Sequence, residues 1–128
     1  MKLEDLQIYQ LSMELSDGIW NVVQKWGVFS KDTVGKQLVR AADSIGANIA
    51  EGFGRYHFKE NQNFCFYSRG SLYETKTWLT KAQSRNLLNP EIFKYLINLC
   101  DTLALKLNNY IKTIGKTNTS SGSQQINK

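Results

Sequence analysis

Apolar residues recur every three or four positions along most of this 128-residue chain, which is the spacing of one face of an α-helix. Short polar or glycine-containing links divide this pattern into four segments. The predicted helices cover about residues 3–25, 31–52, 59–85 and 90–114. Helices of similar length joined by short links predict an all-α fold, an antiparallel up-down-up-down four-helix bundle. Residues 1–115 would form this one domain, and the polar tail 116–128 is expected to be disordered.

Recognisable signals mark the ends of these helices. Gly27 is predicted to close the first helix, and Gly52 and Gly54 the second, since glycine accepts the left-handed backbone that often follows a helix. Asn89 followed by Pro90 predicts the start of the fourth helix, because asparagine caps a helix and proline fits its first turn. Gly115 is expected to end that helix.

The first helix has more apolar surface than a helix of a monomeric bundle needs. One apolar stripe contains Leu6, Tyr9, Met13, Trp20 and Val23, and the other contains Ile8, Leu11, Leu15, Ile19, Val22 and Trp26. Together they span about 220° of the helical wheel, whereas a surface helix needs little more than about 100°. We therefore expect a second subunit to cover part of this helix.

Polar side chains accompany the apolar faces of the second and third helices. The second helix carries Gln37, Arg40, Ser44, Asn48 and Glu51 at helical spacing. The third carries Ser68, Ser71, Thr75 and, at the edge of the same face, Glu74. An unpaired buried polar group costs about 1–3 kcal/mol, so these groups are expected to bond across the two helices, with an arginine meeting a glutamate. Such a network either fixes the helix pairing or lines a binding groove.

The charge balance favours an acidic partner. The chain has 16 lysines and arginines against 11 aspartates and glutamates, a formal net charge of +5. Nucleic-acid-binding proteins have such an excess, although an ordinary protein with surface lysines can share it. On the third helix, Phe66 and Tyr73 alternate with Arg69 and Lys76. This mixture suits single-stranded nucleic acid and is also typical of protein interfaces.

No pattern in the sequence predicts an enzyme, a metal site or a cofactor. His57 is the single histidine, whereas a catalytic triad needs an oriented base and a zinc site needs about four ligands. Cys65 and Cys100 fall inside predicted helices and are expected to be buried thiols in a reducing cytoplasm. The N-terminus lacks the features of a signal peptide, and no apolar run is long enough for a membrane span. A cytoplasmic protein without membrane contact is therefore expected.

Two motifs carry a resemblance to a known family. The first is Gln37-x-x-Arg40-Ala-Ala-x-Ser44-Ile-x-x-Asn48-Ile-Ala-Glu51-Gly52-x-Gly54-Arg55. The second is Phe64-x-x-Tyr67-x-x-Gly70-Ser71-x-x-Glu74-Thr75-x-x-x-Leu79. Over about residues 3–114 the sequence resembles the bacterial four helix bundle protein family, also called 23S rRNA intervening-sequence proteins. It departs from the family pattern at Gly46, where proline is frequent, and at Arg69, where alanine is usual.

The resemblance implies an antiparallel four-helix bundle that assembles as a homopentameric ring with a central channel. The family is named for reading frames inside intervening sequences of bacterial 23S rRNA genes. Related accessory proteins of diversity-generating retroelements bind nucleic acid and a reverse transcriptase through a basic surface. The resemblance implies no catalytic residue and no cofactor. It marks as signature positions Arg40, Ser44, Asn48, Glu51, Ser71 and Glu74.

Together these observations predict a non-enzymatic oligomeric bundle that binds nucleic acid, with RNA favoured, through a basic surface. The cations expected to contact the nucleic acid are Lys36, Arg55, Lys59, Arg69, Lys76 and Lys81. A ring would repeat the charge of each chain, so binding should weaken steeply with salt. The alternative is a protein-interaction scaffold that binds no nucleic acid, with a reverse transcriptase or another protein as its partner.

Overall fold

The computed structural model describes the chain through Thr119 and its side chains through Ile114. Over this range the regular structure is entirely helical and contains no strand. The main helices are α1 (Gln7–Val23), α2 (Lys36–Phe53), α3 (Phe58–Ser84) and α4 (Pro90–Thr119). A 3-10 turn at Leu3–Asp5 precedes α1. A single α-helical turn at Val28–Ser30 and a π-helical turn at Lys31–Gly35 lead directly into α2.

Successive helices run in opposite directions. Gly35 lies against Val23 and Gly46 lies against Ser12, so residue numbers rise along α2 as they fall along α1. The same order relates α2 to α3 and α3 to α4, as seen in the pairs Ser44–Ser71, Gly52–Asn61, Arg69–Asn108 and Lys76–Asp101. Helix α1 also packs against α4. Each helix therefore has two neighbours, which is the arrangement of an up-down-up-down bundle.

The core lies along the axis of the bundle and is built from apolar side chains at helical spacing. Its largest fully buried aliphatic side chains are Leu15, Ile19, Leu38, Ile45, Ile49, Leu72, Leu79, Leu96, Leu103 and Leu107. On each helix they recur at intervals of four or seven residues. Burying one such side chain stabilises the fold by about 1.5–3 kcal/mol. The helical periodicity of the sequence is thus confirmed as the pattern of the core.

The fourth helix is longer than the sequence predicts. Helix α4 continues through Gly115 to Thr119, so the predicted stop at Gly115 and the predicted start of the tail at residue 116 are wrong. A glycine inside a helix costs only about 1 kcal/mol relative to alanine, and no proline follows it to end the helix. The disorder predicted for residues 120–128 lies outside the described part of the chain.

Both cysteines are buried thiols, as predicted. Cys65 on α3 and Cys100 on α4 are free and fully buried in the core. Burial raises the pKa of each thiol to about 12, so both stay protonated at neutral pH. A thiol without thiolate character is a poor nucleophile, and these residues serve as packing groups.

Candidate nucleic-acid interface

Three of the signature residues form a hydrogen-bonded group between α2 and α3. The hydroxyl oxygens of Ser44 and Ser71 lie 2.9 Å apart across the two helices. The Asn48 amide nitrogen donates to the Ser44 carbonyl oxygen at 2.9 Å and to its hydroxyl oxygen at 3.1 Å. All three side chains are half-buried, so these bonds satisfy groups that water reaches poorly. This geometry favours the interpretation that the three residues fix the pairing of α2 with α3.

The other three signature residues, Arg40, Glu51 and Glu74, are exposed on the outside of the bundle. Glu51 forms an ion pair of 2.7 Å with Arg55, four residues further along the chain. Glu74 accepts a hydrogen bond of 3.2 Å from the indole nitrogen of Trp78 on its own helix. The predicted arginine–glutamate bridge between α2 and α3 does not occur in the described part of the chain. That prediction was wrong because both glutamates find partners within their own segment.

The core hydroxyls of α3 are satisfied by backbone oxygens. Ser68 donates to the carbonyl oxygen of Ile45 on α2 at 2.8 Å, and Thr75 donates to the carbonyl oxygen of Ser71 at 2.8 Å. One hydroxyl therefore joins two helices, and the other bonds back along its own helix. Both side chains are fully buried, so this polar seam closes the bundle instead of lining an open groove.

Two of the predicted nucleic-acid contacts, Arg69 and Lys76, are engaged with α4. Arg69 donates to the side-chain oxygen of Asn108 at 2.9 Å, and its guanidinium lies 5.0 Å from the centre of the Phe66 ring. Lys76 donates to Asp101 at 2.8 Å, and this hydrogen bond raises the pKa of Lys76. These cations join α3 to α4, which leaves them less available to phosphate.

Two further candidates, Arg55 and Lys59, lie where α2 ends and α3 begins. The guanidinium of Arg55 pairs with Glu51 and lies 4.9 Å from the centre of the Phe64 ring. Lys59 is exposed in the first turn of α3, beside Glu60. The structure therefore does not gather the six predicted cations into one surface.

Lys36 and Lys81 lie at the opposite end of the bundle, where α1 and α3 end and where α2 and α4 begin. We name this region, residues 20–40 and 76–101, the basic end. Its charged residues are Lys25, Lys31, Lys36, Arg40, Lys76, Lys81, Arg85, Lys94, Asp32, Glu91 and Asp101. Eight cations against three carboxylates give it a net charge of +5, and the remainder of the chain carries eight of each sign. The net charge of the basic end thus equals the net charge of the whole protein, because the charges elsewhere cancel.

Two grooves open at the basic end, one on each side of the π-helical turn. The first groove, of about 460 Å³, lies between α1 and the start of α2, and its polar and aromatic lining consists of Trp20, Gln24, Lys31, Asp32, Lys36 and Arg40. The second groove, of about 530 Å³, lies between the start of α2 and the end of α3, and its lining includes Asp32, Gln37, Trp78, Lys81 and Arg85. Each groove therefore contains a tryptophan and at least two cations, and the carboxylate of Asp32 lines both grooves.

Sequence reasoning missed part of this cluster. It selected Lys36 and Lys81, gave Arg40 only a place in the polar stripe, and did not select Lys31 or Arg85. A signal was present, because Arg40 follows Lys36 by four residues and Arg85 follows Lys81 by four residues. Residues four apart share one face of a helix, so Lys36 and Arg40 form a row on α2, and Arg85, one residue past the end of α3, lies close to Lys81 in its last turn.

The described side chains offer no other obvious chemistry. Through Ile114 they include no group of three or more histidines, cysteines or carboxylates placed to hold a metal ion. None of the helices, as far as the structure describes them, combines the length and the apolarity that crossing a membrane requires. Exposed carboxylates come close at Asp17 and Asp43, where partial burial and the charge of Asp17 raise the pKa of Asp43.

Comparison with known proteins places the chain in a family. None of the curated proteins matches the sequence. A crystal structure of a protein with unknown function from the S23 ribosomal protein family of Bacteroides thetaiotaomicron matches with a TM-score of 0.74 at 23% identity. The match covers 82% of this chain and 98% of that one, and it supports the fold. The family model described as 23S rRNA-intervening sequence protein matches residues 4–109. Since that match covers most of the sequence, this protein belongs to the 23S rRNA-intervening sequence protein family, as its motifs on α2 and α3 predicted.

Proposed function

We propose that this protein is a non-enzymatic nucleic-acid-binding bundle, that its ligand is RNA, and that the basic end is its binding surface. The observation that carries the proposal is the concentration of the full net charge of +5 in residues 20–40 and 76–101. A surface of one sign attracts phosphate and gains free energy when counterions leave the nucleic acid. The balanced charges of the remaining chain offer no comparable attraction.

The arrangement of the cations supports this surface. Lys36 and Arg40 form one row on α2, spaced about 6 Å along the helix. Lys81 in the last turn of α3 and Arg85 just after its end form the second pair. The rows line the two grooves on either side of Asp32. No ion pair involves these four side chains in the described part of the chain, in contrast to Arg55 and Lys76. They are therefore the cations best placed to contact phosphate.

We also propose that the chain forms a homo-oligomer, with the pentamer as the state that the family resemblance implies. Met13 on α1 and Leu105 on α4 are 41% and 64% exposed, so a single chain leaves large apolar side chains uncovered. A closed ring needs two unlike surfaces on each subunit, and these side chains lie on different helices. A ring would multiply the field of the basic end. Light scattering should give about five chain masses, whereas a stable monomer would overturn this proposal.

A salt titration tests the proposed ligand. A fluorescently labelled, unstructured RNA should bind the protein at low salt, as followed by anisotropy. If four cations each contact a phosphate of a single strand, the affinity should fall about 50-fold between about 50 mM and 200 mM salt. Absence of binding at low salt, or an affinity that salt does not change, would contradict the proposal. A tightly co-purifying protein together with that result would favour the scaffold alternative, with a reverse transcriptase among the candidates.

A further inference from the structure

The first groove of the basic end exposes a large aromatic side chain among cations. Trp20 is 53% exposed, although tryptophan is mostly buried in folded proteins. It lines the groove together with Lys31, Lys36 and Arg40. Nine residues after Trp20, Phe29 is 81% exposed in the turn that leads into α2. Two uncovered aromatic side chains therefore accompany the strongest concentration of positive charge in the molecule.

We propose that the first groove binds an unpaired strand of nucleic acid, with a base stacked on Trp20 and the adjoining phosphates held by Lys31, Lys36 and Arg40. This inference rests on the proposed function and names the substrate class of that same site. Every unpaired base has a free π-face, and stacking on an aromatic side chain contributes about 1–3 kcal/mol per base. A duplex hides these faces between its base pairs and offers the groove only its phosphates.

The single carboxylate of the groove is consistent with a base at this position. Asp32 would repel a phosphate placed next to it. A base edge, by contrast, can donate a hydrogen bond from an exocyclic amino group to a carboxylate. The lining residues therefore suit a strand whose phosphates contact the cations and whose base faces Trp20 and Asp32.

The tryptophan of the second groove exposes less of its ring to a ligand than Trp20 does. Trp78 is half-buried, and its indole nitrogen donates to Glu74 on the same helix at 3.2 Å. That bond and its burial hold the ring in place and leave less of its face for a base. The second groove thus supplies phosphate contacts through Lys81 and Arg85, while the first supplies the stacking surface.

The test compares one unstructured RNA with the blunt duplex formed by that RNA and its complement, at a single salt concentration. Trp20→Ala should weaken binding of the single strand about 5- to 150-fold and leave duplex binding unchanged. Trp20→Phe should restore most of the loss, because the phenyl ring keeps a stacking face. The matched control is Tyr56→Ala, which removes an exposed aromatic side chain outside the basic end and should change neither affinity.

The outcomes separate this inference from the proposed function. If wild-type protein binds RNA but Trp20→Ala weakens single strand and duplex equally, or weakens neither, stacking at Trp20 is wrong and the basic surface stands. If wild-type protein binds neither nucleic acid, the proposed function fails first. A changed mass of the Trp20→Ala variant in light scattering would place Trp20 in a contact between copies and would also overturn the inference. The salt dependence of this variant should equal that of the wild type, because no phosphate contact is lost.

Discussion

The two ends of the bundle differ in charge, whereas closely packed and open positions occur at both. Where α2 meets the start of α3, a β-carbon on Gly52 would lie 2.7 Å from the side-chain oxygen of Asn61 and 3.0 Å from its carbonyl oxygen. At the basic end, a β-carbon on Gly27 would meet nothing within 4 Å, and two grooves open between the helices. A β-carbon on Gly35, also at the basic end, would lie 2.7 Å from a side-chain carbon of Val23, so close packing holds the helices together at both ends, whereas the excess of cations is found at one. Stability and the proposed binding therefore depend on different residues.

The largest expected effect is on stability at the contact of Gly52 with the start of α3. Gly52→Ala should lower the free energy of unfolding by about 1–3 kcal/mol, because the added methyl group meets backbone that cannot move cheaply. Gly27→Ala is the matched control and should change the free energy of unfolding by less than about 0.5 kcal/mol. Urea unfolding followed by circular dichroism measures both. Equal stability of the two variants would contradict the difference in packing between Gly52 and Gly27.

The next largest effect is expected on RNA binding, when lysines of the basic end are replaced by glutamate. Lys36→Glu with Lys81→Glu should weaken RNA binding by about tenfold or more, which corresponds to about 1.4 kcal/mol. Lys59→Glu with Lys112→Glu changes the net charge by the same amount in the balanced part of the chain and should weaken binding by less than about threefold. Anisotropy titrations at one salt concentration measure both variants. Equal losses would mean that only the total charge matters and would remove the distinction between the two ends.

A smaller effect is expected from the hydrogen-bonded group between α2 and α3. Ser71→Ala should lower the free energy of unfolding by about 0.5–1.5 kcal/mol, since Ser44 loses its partner on α3 but keeps Asn48. Ser84→Ala is the control, because that exposed hydroxyl bonds only to its own helix. RNA affinity should be unchanged in both variants. A loss of RNA binding in Ser71→Ala, with the fold intact, would instead assign the signature residues to the binding surface.

The smallest effect is a pH dependence at the seam of α1 and α2. Partial burial, and secondarily Asp17, raise the pKa of Asp43 above its ordinary value of 3.8. The folded state therefore binds this proton more tightly, so the stabilisation is present below the ordinary value and is lost as pH rises through the folded pKa. Asp43→Asn should stabilise the protein at neutral pH by a few tenths of a kcal/mol, because the group is largely exposed. Thermal unfolding at pH 7 and below about pH 3.5 should show that this gain disappears in acid.

Periodicity was sufficient to predict the four helices and the buried face of α2. Leu38, Ile45 and Ile49 are buried because they share one face of α2, and helical spacing reveals that face directly. The same spacing placed Ser44 and Ser71 between helices, where they bond each other. Local residue order thus contains most of the information that a bundle of this kind needs.

The basic end was not predicted, because it depends on contacts between distant segments. Lys36 and Lys81 are 45 positions apart in the sequence, and only the antiparallel packing of α2 and α3 brings their rows of cations to one end. A helical wheel shows on which side of a helix a residue lies, but it does not show how deeply the side chain is buried. It therefore placed Arg40 and Glu74 in a buried network, although both are exposed. These two errors have one cause: composition and periodicity do not say which charged residues become neighbours.

The central claim, that RNA occupies the basic end, is tested most directly by mapping its contacts. Ultraviolet cross-linking of an unstructured RNA to the wild-type protein, followed by mass spectrometry of the linked peptides, identifies the residues that touch it. We expect cross-links within residues 20–40 and 76–101, with Trp20 and Phe29 among the linked residues. Cross-links confined to residues 1–19, 41–75 or 102–114 would place the RNA on the balanced part of the bundle and contradict binding at the basic end.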